Sequence, residues 1–232
     1  MTSQQIQSVV DGCTRTLDLR QTEASAKHFA YTNVPLCILD AVFSINTKYT
    51  AVLNVVERYR TFAPQHAGPQ HSVQDLVRLV TSLGPERFAS EVVHNRQRTS
   101  SRSGILKAEA AHLFAQVLNE FDVRYLSDMP KVIDSDRFCR RIRMIPGQLL
   151  SLDYFLMMMG RHDLIKADRM ILQFLSKCLG KRITSVSWAQ YLIAQAVPVL
   201  AKEHRQLTPR LLDWIIWKHE SKATAVSSSP HC

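Results

Sequence analysis
Apolar residues recur at helical spacing over most of the chain. Between residues 36 and 62 they fall at Leu36, Leu39, Ala41, Val42 and Ile45, then at Ala51, Val52, Val55, Val56 and Tyr59, which predicts helix throughout. Ser72 and Asp75 have the spacing of an N-cap pair, and Gly84-Pro85 ends the helix they open. Pro85 suits the first turn of a short helix to about residue 94. Residues 95–104 are polar and basic and read as a loop, followed by an amphipathic stretch over 105–121. A short charged helix is expected over 135–144, a turn at Ile145-Pro146-Gly147, and a strongly apolar helix over 151–159 stopped by Gly160. Asp168 precedes a helix over 169–179 that Gly180 ends. Two more follow, over 185–203 (interrupted near Pro198) and 208–220, with a frayed polar tail from 223. No strand alternation persists and no fixed-period repeat occurs, so the expected class is all-α.

Composition narrows the setting. Apolar residues are 46% and charged residues 21% of the 232, which excludes wholesale disorder. The longest nearly apolar run, residues 149–159, contains Asp153 and is well short of the ~20 residues of a membrane span. No basic region followed by an apolar stretch opens the chain, so no secretory signal is expected. The five cysteines are scattered and form no Cys-x-x-Cys pair. Reduced thiols, no zinc site and no iron–sulfur cluster are the expectation, in a cytoplasmic or nucleoid-associated monomer. Twenty-nine Lys and Arg against 20 Asp and Glu give a formal charge of +9, which favours polyanions, nucleic acid before membrane.

The chemistry concentrates in one order of elements: helix, Ile-Pro-Gly turn, apolar helix, short polar loop, then an Asp opening another helix. Two helices joined by a tight Gly turn can aim successive backbone N–H groups at one phosphate, aided by the positive end of the second helix. Such a grip holds DNA without reading its sequence. The same pattern also suits an ordinary helical hairpin inside a core. Asp168, 21 positions after Gly147 (168 − 147), fits a helix N-cap. It equally fits a carboxylate at the mouth of a cleft, stabilising positive charge on a sugar and orienting a water as a glycosidic bond breaks. The two roles are compatible.

Five segments, in order, resemble the helix-hairpin-helix DNA glycosylase superfamily, the relatives of endonuclease III, from about residue 35 to 217. They are Leu39-Asp40-Ala41-Val42-Phe43-Ser44-Ile45-Asn46-Thr47, then Ser103-Gly104-Ile105-Leu106-Lys107-Ala108, then Ile145-Pro146-Gly147-Gln148-Leu149-Leu150-Ser151, then Ile165-Lys166-Ala167-Asp168-Arg169-Met170-Ile171, and last Arg210-Leu211-Leu212-Asp213-Trp214-Ile215-Ile216-Trp217. The resemblance implies two helical lobes with a helix-hairpin-helix element beside a central cleft. Residues 28–162 would form the central lobe ending in the hairpin, and residues 1–27 with 163–232 the lobe carrying Asp168. It implies Asp168 as the catalytic carboxylate and Asn46 as the amide that fills the gap left by an extruded base. Gly147, Gln148, Leu149 and Leu150 would hold phosphate, with Arg102, Lys107, Lys166 and Arg169 as further DNA contacts. Tyr154 and Ser151 are the expected pocket residues, with His28 and Tyr31 as weaker ones.

Four departures refine this. Leu149 stands where the family has a second hairpin Gly, Ala167 where a Pro often precedes the Asp, and Ser151 where strand-nicking members carry Lys. The C-terminal Cys quartet of endonuclease III is absent. Ser151 therefore points to a monofunctional enzyme that leaves an abasic site in double-stranded DNA. A monovalent cation at the hairpin is the one cofactor left open. The alternatives are a non-catalytic DNA-binding module and a helical protein-interaction domain. Alkylated purines, uracil or thymine mismatches, oxidised bases and bulky modified cytosines all fit as targets.

Overall fold
The computed structural model describes residues 2–22, 31–66, 71–147 and 149–227. Among them regular structure is helical, apart from one antiparallel bridge between Arg98 and Leu106. No helix among them is long and apolar enough to cross a membrane. The chain divides into two compact units. A middle unit spans Ala30–Met159, and an end unit joins Met1–Phe29 to Gly160–Cys232.

The middle unit is built around α2 (Val34–Phe43), all ten residues of which are buried. A helix apolar on every face must be central. Asn33 caps it by accepting from the Leu36 N–H at 3.1 Å, and Pro35 sits in its first turn. Packed on α2 are α3 (Tyr49–His66), α4 (Val73–Leu83), α6 (Lys107–Glu120) and α8 (Leu149–Met158). The Ser72–Asp75 pair forms a reciprocal capping box on α4. Between α4 and α6 lie α5 (Pro85–Arg87) and a single π-helical turn, Phe88–Val92. The short α7 (Asp136–Arg143) packs on α6 and α8.

In the end unit, α1 (Thr2–Thr16) packs on α9 (Arg169–Leu179) and α10 (Val186–Leu200), and α11 (Pro209–Ser227) packs on α9 and α10. Its core includes Val9, Cys13, Phe174, Leu175, Leu192, Ile193, Leu211 and Ile216. Each such side chain, fully buried, contributes roughly 1.5–3 kcal/mol.

Three expectations are corrected. The periodic stretch over 36–62 is two helices, because the chain leaves α2 at a turn where Asn46 takes φ +50°. Pro198 does not interrupt α10, since the ladder resumes with the Ala201 N–H donating to the Val197 carbonyl at 2.8 Å. The polar tail from 223 is helical as far as Ser227. The structure also adds α1, whose Ile6, Val9, Val10 and Cys13 follow helical spacing in a polar segment.

Candidate functional site
Asp168 caps α9. Its backbone is extended (φ −81°, ψ −172°), and its Oδ1 accepts the N–H groups of Met170 at 2.8 Å and Ile171 at 3.4 Å. The segment before it alternates: Ile165 and Ala167 are buried in the end-unit core, while Lys166 and Asp168 are partly exposed and Arg169 is exposed. The Asp168 N–H donates to the Lys166 carbonyl at 2.6 Å, and the Lys166 N–H donates to Asp213 Oδ1 at 3.0 Å. Asp213, on α11, is only 9% exposed. Burial pushes its carboxyl well above the usual carboxylate range; the neighbouring Asp168 carboxylate pushes the same way, against the pull of Lys166. The end unit thus sets a partly exposed carboxylate at the positive end of a helix, with a second, buried carboxyl behind it.

In the middle unit, the turn after α2 carries Asn46, exposed and at positive φ. Lys107, expected at the DNA backbone, is 1% exposed and turned inward. Its ammonium donates to the carbonyls of Phe43 (3.0 Å) and Ile45 (2.5 Å), to Thr47 Oγ1 (2.6 Å) and to Gln97 Oε1 (3.0 Å). The reason is local: the last carbonyls of α2 lack intrahelical partners, and a cation at a helix C-terminus satisfies them while opposing the dipole. Arg102, in contrast, is exposed. The basic loop is folded back on itself: the Thr99 N–H donates to the Ile105 carbonyl, the Lys107 N–H to the Gln97 carbonyl, and Arg98 Nη1 to the Gly104 carbonyl at 2.8 Å.

Helices α7 and α8 are joined by a tight turn at Ile145-Pro146-Gly147. Gly147 has φ +82°, and a Cβ there would lie 2.6 Å from Thr99 Cβ and 3.0 Å from its Oγ1. Thr99 is 4% exposed, and its Oγ1 has no hydrogen-bond partner among the described residues. The turn therefore leans on the basic loop so closely that only glycine fits. Arg140 and Arg143 on α7 are exposed, and Met144 beside the turn is 73% exposed. Gln148 lies outside the described residues, as do the side chains of Leu149 and Leu150 and the weaker pocket candidate His28.

The expected pocket residues separate. Ser151 is fully buried on α8, with no surface for a base to meet. Tyr154, on the same helix, is partly exposed, and its hydroxyl donates to Asp40 Oδ2 at 3.3 Å. Tyr31 donates to the same oxygen at 2.7 Å and hydrogen-bonds Tyr49. Asp40 is fully buried on α2. Burial, then the Asp40 carboxylate, raises the pKa of all three tyrosine hydroxyls, so they remain proton donors at neutral pH. Two partly exposed tyrosines thus hydrogen-bond one buried carboxylate, and a third, Tyr49, joins them through Tyr31.

Sequence reasoning singled out neither Asp40 nor Asp213. Each occupies an apolar helical run, residues 36–43 and 211–216 respectively, and an isolated acid among core positions was the available signal. Among the described residues no group of three or more His, Cys, Asp or Glu is arranged to hold a metal ion. No curated protein and no solved structure matches the chain. A family model covering residues 7–221, described as a domain of unknown function (DUF8548), does match, and the chain belongs to that family.

Proposed function
We propose that the protein is a monofunctional DNA glycosylase, which flips a damaged, mismatched or modified base and hydrolyses its N-glycosidic bond. The observation that carries this is Asp168: a partly exposed carboxylate fixed by main-chain N–H groups at the start of α9. It is the residue to which the sequence resemblance assigns the catalytic carboxylate. In the reaction the C1′–N bond breaks and its electron pair leaves with the base. The Asp168 carboxylate stabilises the positive charge that develops on the sugar and orients a water. The water oxygen then bonds C1′, and its proton passes by way of the carboxylate to the released base or to solvent.

The other parts serve flipping and grip. A base inside a duplex is out of reach, and extruding it costs a few kcal/mol. Asn46, exposed on its turn, suits filling the gap. The partly exposed rings of Tyr154, Tyr31 and Tyr49 suit stacking on a flipped base, with hydroxyls fixed by Asp40 at its edge. The Gly147 turn suits a phosphate, with Arg102, Arg140 and Arg143 supplying charge. Lys107 leaves the set of DNA contacts and becomes the residue that shapes the Asn46 turn.

A panel of modified duplexes, incubated with the protein and then treated with alkali, tests the proposal. Excision gives strand breaks after alkali and none before it. Asp168→Asn abolishes the breaks and keeps DNA binding. Binding without breaks in the wild type makes the protein a non-catalytic DNA module. Absence of salt-sensitive binding at low ionic strength removes DNA altogether.

A further inference from the structure
We infer that Asp213 is a positioning residue for Asp168: from α11 it pins the Lys166 peptide, and through that peptide the backbone turn that sets the Asp168 carboxylate at the start of α9. The inference rests on the glycosylase reading for its catalytic consequence, though its geometry stands alone.

Three observations carry it. First, residue 166 is held through both of its main-chain polar groups. Its N–H donates to Asp213 Oδ1 at 3.0 Å and its carbonyl accepts from the Asp168 N–H at 2.6 Å, so a shift of one is felt by the other within two residues. Second, the flanking Ile165 and Ala167 are sunk in the end-unit core, at 5% and 1% exposure. They fix the depth of the segment but leave its rotation to the polar groups of residue 166, whose N–H has to find a partner. Asp213 supplies it from 47 positions further on (213 − 166). Third, Asp213 lies among Leu211, Leu212, Ile215 and Ile216, all buried. An apolar side chain would serve that face better, because an ionisable group in such surroundings costs stability unless it is paired. The charges that bear on it are Asp168 and Lys166, one residue on either side of Ala167. Because burial and the Asp168 carboxylate both favour its protonated form, Asp213 can stand beside Asp168 without setting two full negative charges together.

Two substitutions separate the roles. Asp213→Asn keeps a carbonyl to accept the Lys166 N–H and loses the acid. Asp213→Leu fills the same space in the apolar face and loses the acceptor. Single-turnover excision is measured on whichever duplex the wild type cleaves, and binding on the same duplex. Asp213→Leu is expected to slow excision ~100-fold, the scale of a misplacement of about 1 Å at a reacting group. Its DNA Kd should change less than about 3-fold, and Asp213→Asn should recover the rate to within about 3-fold of wild type. Hydrogen exchange at the Lys166 amide gives a readout that needs no activity: protected in the wild type and in Asp213→Asn, and at least ~10-fold faster in Asp213→Leu. Equal protection in all three variants overturns the pinning, and excision by Asp213→Leu at the wild-type rate overturns the catalytic consequence. If the wild type excises nothing, the glycosylase reading falls, and the Lys166 amide still decides whether Asp213 holds the turn.

Discussion

Each unit buries an ionisable side chain to hold a turn that carries a candidate functional residue, but the two burials differ in how well they are satisfied. In the middle unit Lys107 meets four oxygens, among them the last carbonyl of α2 and the Ile45 carbonyl of the turn that presents Asn46. In the end unit Asp213 meets the Lys166 N–H, and burial with the Asp168 carboxylate favours its protonated form. A buried charge surrounded by opposite dipoles behaves as part of the scaffold. A buried acid that burial and a neighbouring carboxylate both hold toward its protonated form is poised, because rising pH can take its proton. The difference makes the Asn46 turn the better satisfied of the two and the Asp213-held turn the one that responds to pH.

The largest effect expected is on the Lys107 side. Lys107→Met removes the amine from four oxygens and strips the Phe43 carbonyl, the last of α2, of that donor, while the Ile45 carbonyl keeps the Thr47 hydroxyl at 3.0 Å. Hydrogen bonds to a charged group are worth about 1.5–3 kcal/mol each, so losing this set costs about 3–5 kcal/mol after the remaining partners readjust. Urea unfolding should therefore show a markedly lower midpoint. A loss under about 1 kcal/mol would mean that the α2 carbonyls find other partners and that the turn does not depend on the amine.

Glycines test whether turns in the middle unit are also held by contact. Gly147 and Gly84 have nearly the same φ, +82° and +81°, but a Cβ at Gly147 meets Thr99 and one at Gly84 meets nothing within 4 Å. Gly84→Ala should cost about 1–2 kcal/mol, the penalty of its positive-φ, extended backbone alone. Gly147→Ala should cost about 2–3 kcal/mol, because Thr99 is stiff at its Cβ and has to move. Equal losses in urea unfolding would show that the turn is not seated on the basic loop.

On the Asp213 side the signature is pH. Its folded pKa is raised above the unfolded value of 3.8, so its contribution is full below that value and is lost as pH rises toward the folded pKa. While the unfolded chain is ionised and the folded one is not, stability falls by about 1.4 kcal/mol per pH unit. Asp163, whose pKa Arg161 holds down, contributes the opposite way, losing stability only as pH falls below the carboxylate range. His112, lowered by burial, gains stability as pH rises toward 6.5. Both persist in Asp213→Asn, so the difference between wild type and variant isolates Asp213. The variant's stability relative to wild type should climb from pH 5 upward. A flat difference from pH 5 to 8 would remove the poised acid and make the two turns alike.

The helices themselves were legible because their punctuation is local. The Ser72–Asp75 box, the Gly180 stop and the Asp168 cap all depend on residues within one turn of each other. The break after Phe43 was not, because it is made by an amine 64 positions away, and periodicity carries no trace of that contact. For the same reason Lys107 read as a surface charge in a basic loop, although its neighbours Ala108, Ala110 and Ala111 are core. Tyr154 stood out as an aromatic, but Asp40, which orients its hydroxyl, lies 114 positions earlier in an apolar run. Local sequence encodes which residues start and stop helices. It does not encode which distant polar group a buried charge will meet.

The smallest effect discriminates most finely, at Asp168 itself. As an N-cap it can be replaced by Asn, which accepts the same N–H groups, but not by Ala, which accepts none. Asp168→Ala should therefore cost about 1 kcal/mol in urea unfolding. Asp168→Asn should cost no more than about 0.5 kcal/mol, the part due to its charge at the helix N-terminus, and salt should shrink even that. If Asp168 were only a cap, activity would follow stability, and the Asn variant would work nearly as well as wild type. If it stabilises charge on a sugar, the two variants fail alike in excision while differing in stability, because an amide carries no negative charge to offer. A stable, DNA-binding, inactive Asp168→Asn beside a less stable, equally inactive Asp168→Ala would separate chemistry from capping in a single residue. It would also make the end unit's turn functional in the sense that the Lys107-held turn, for all its hydrogen bonds, is not.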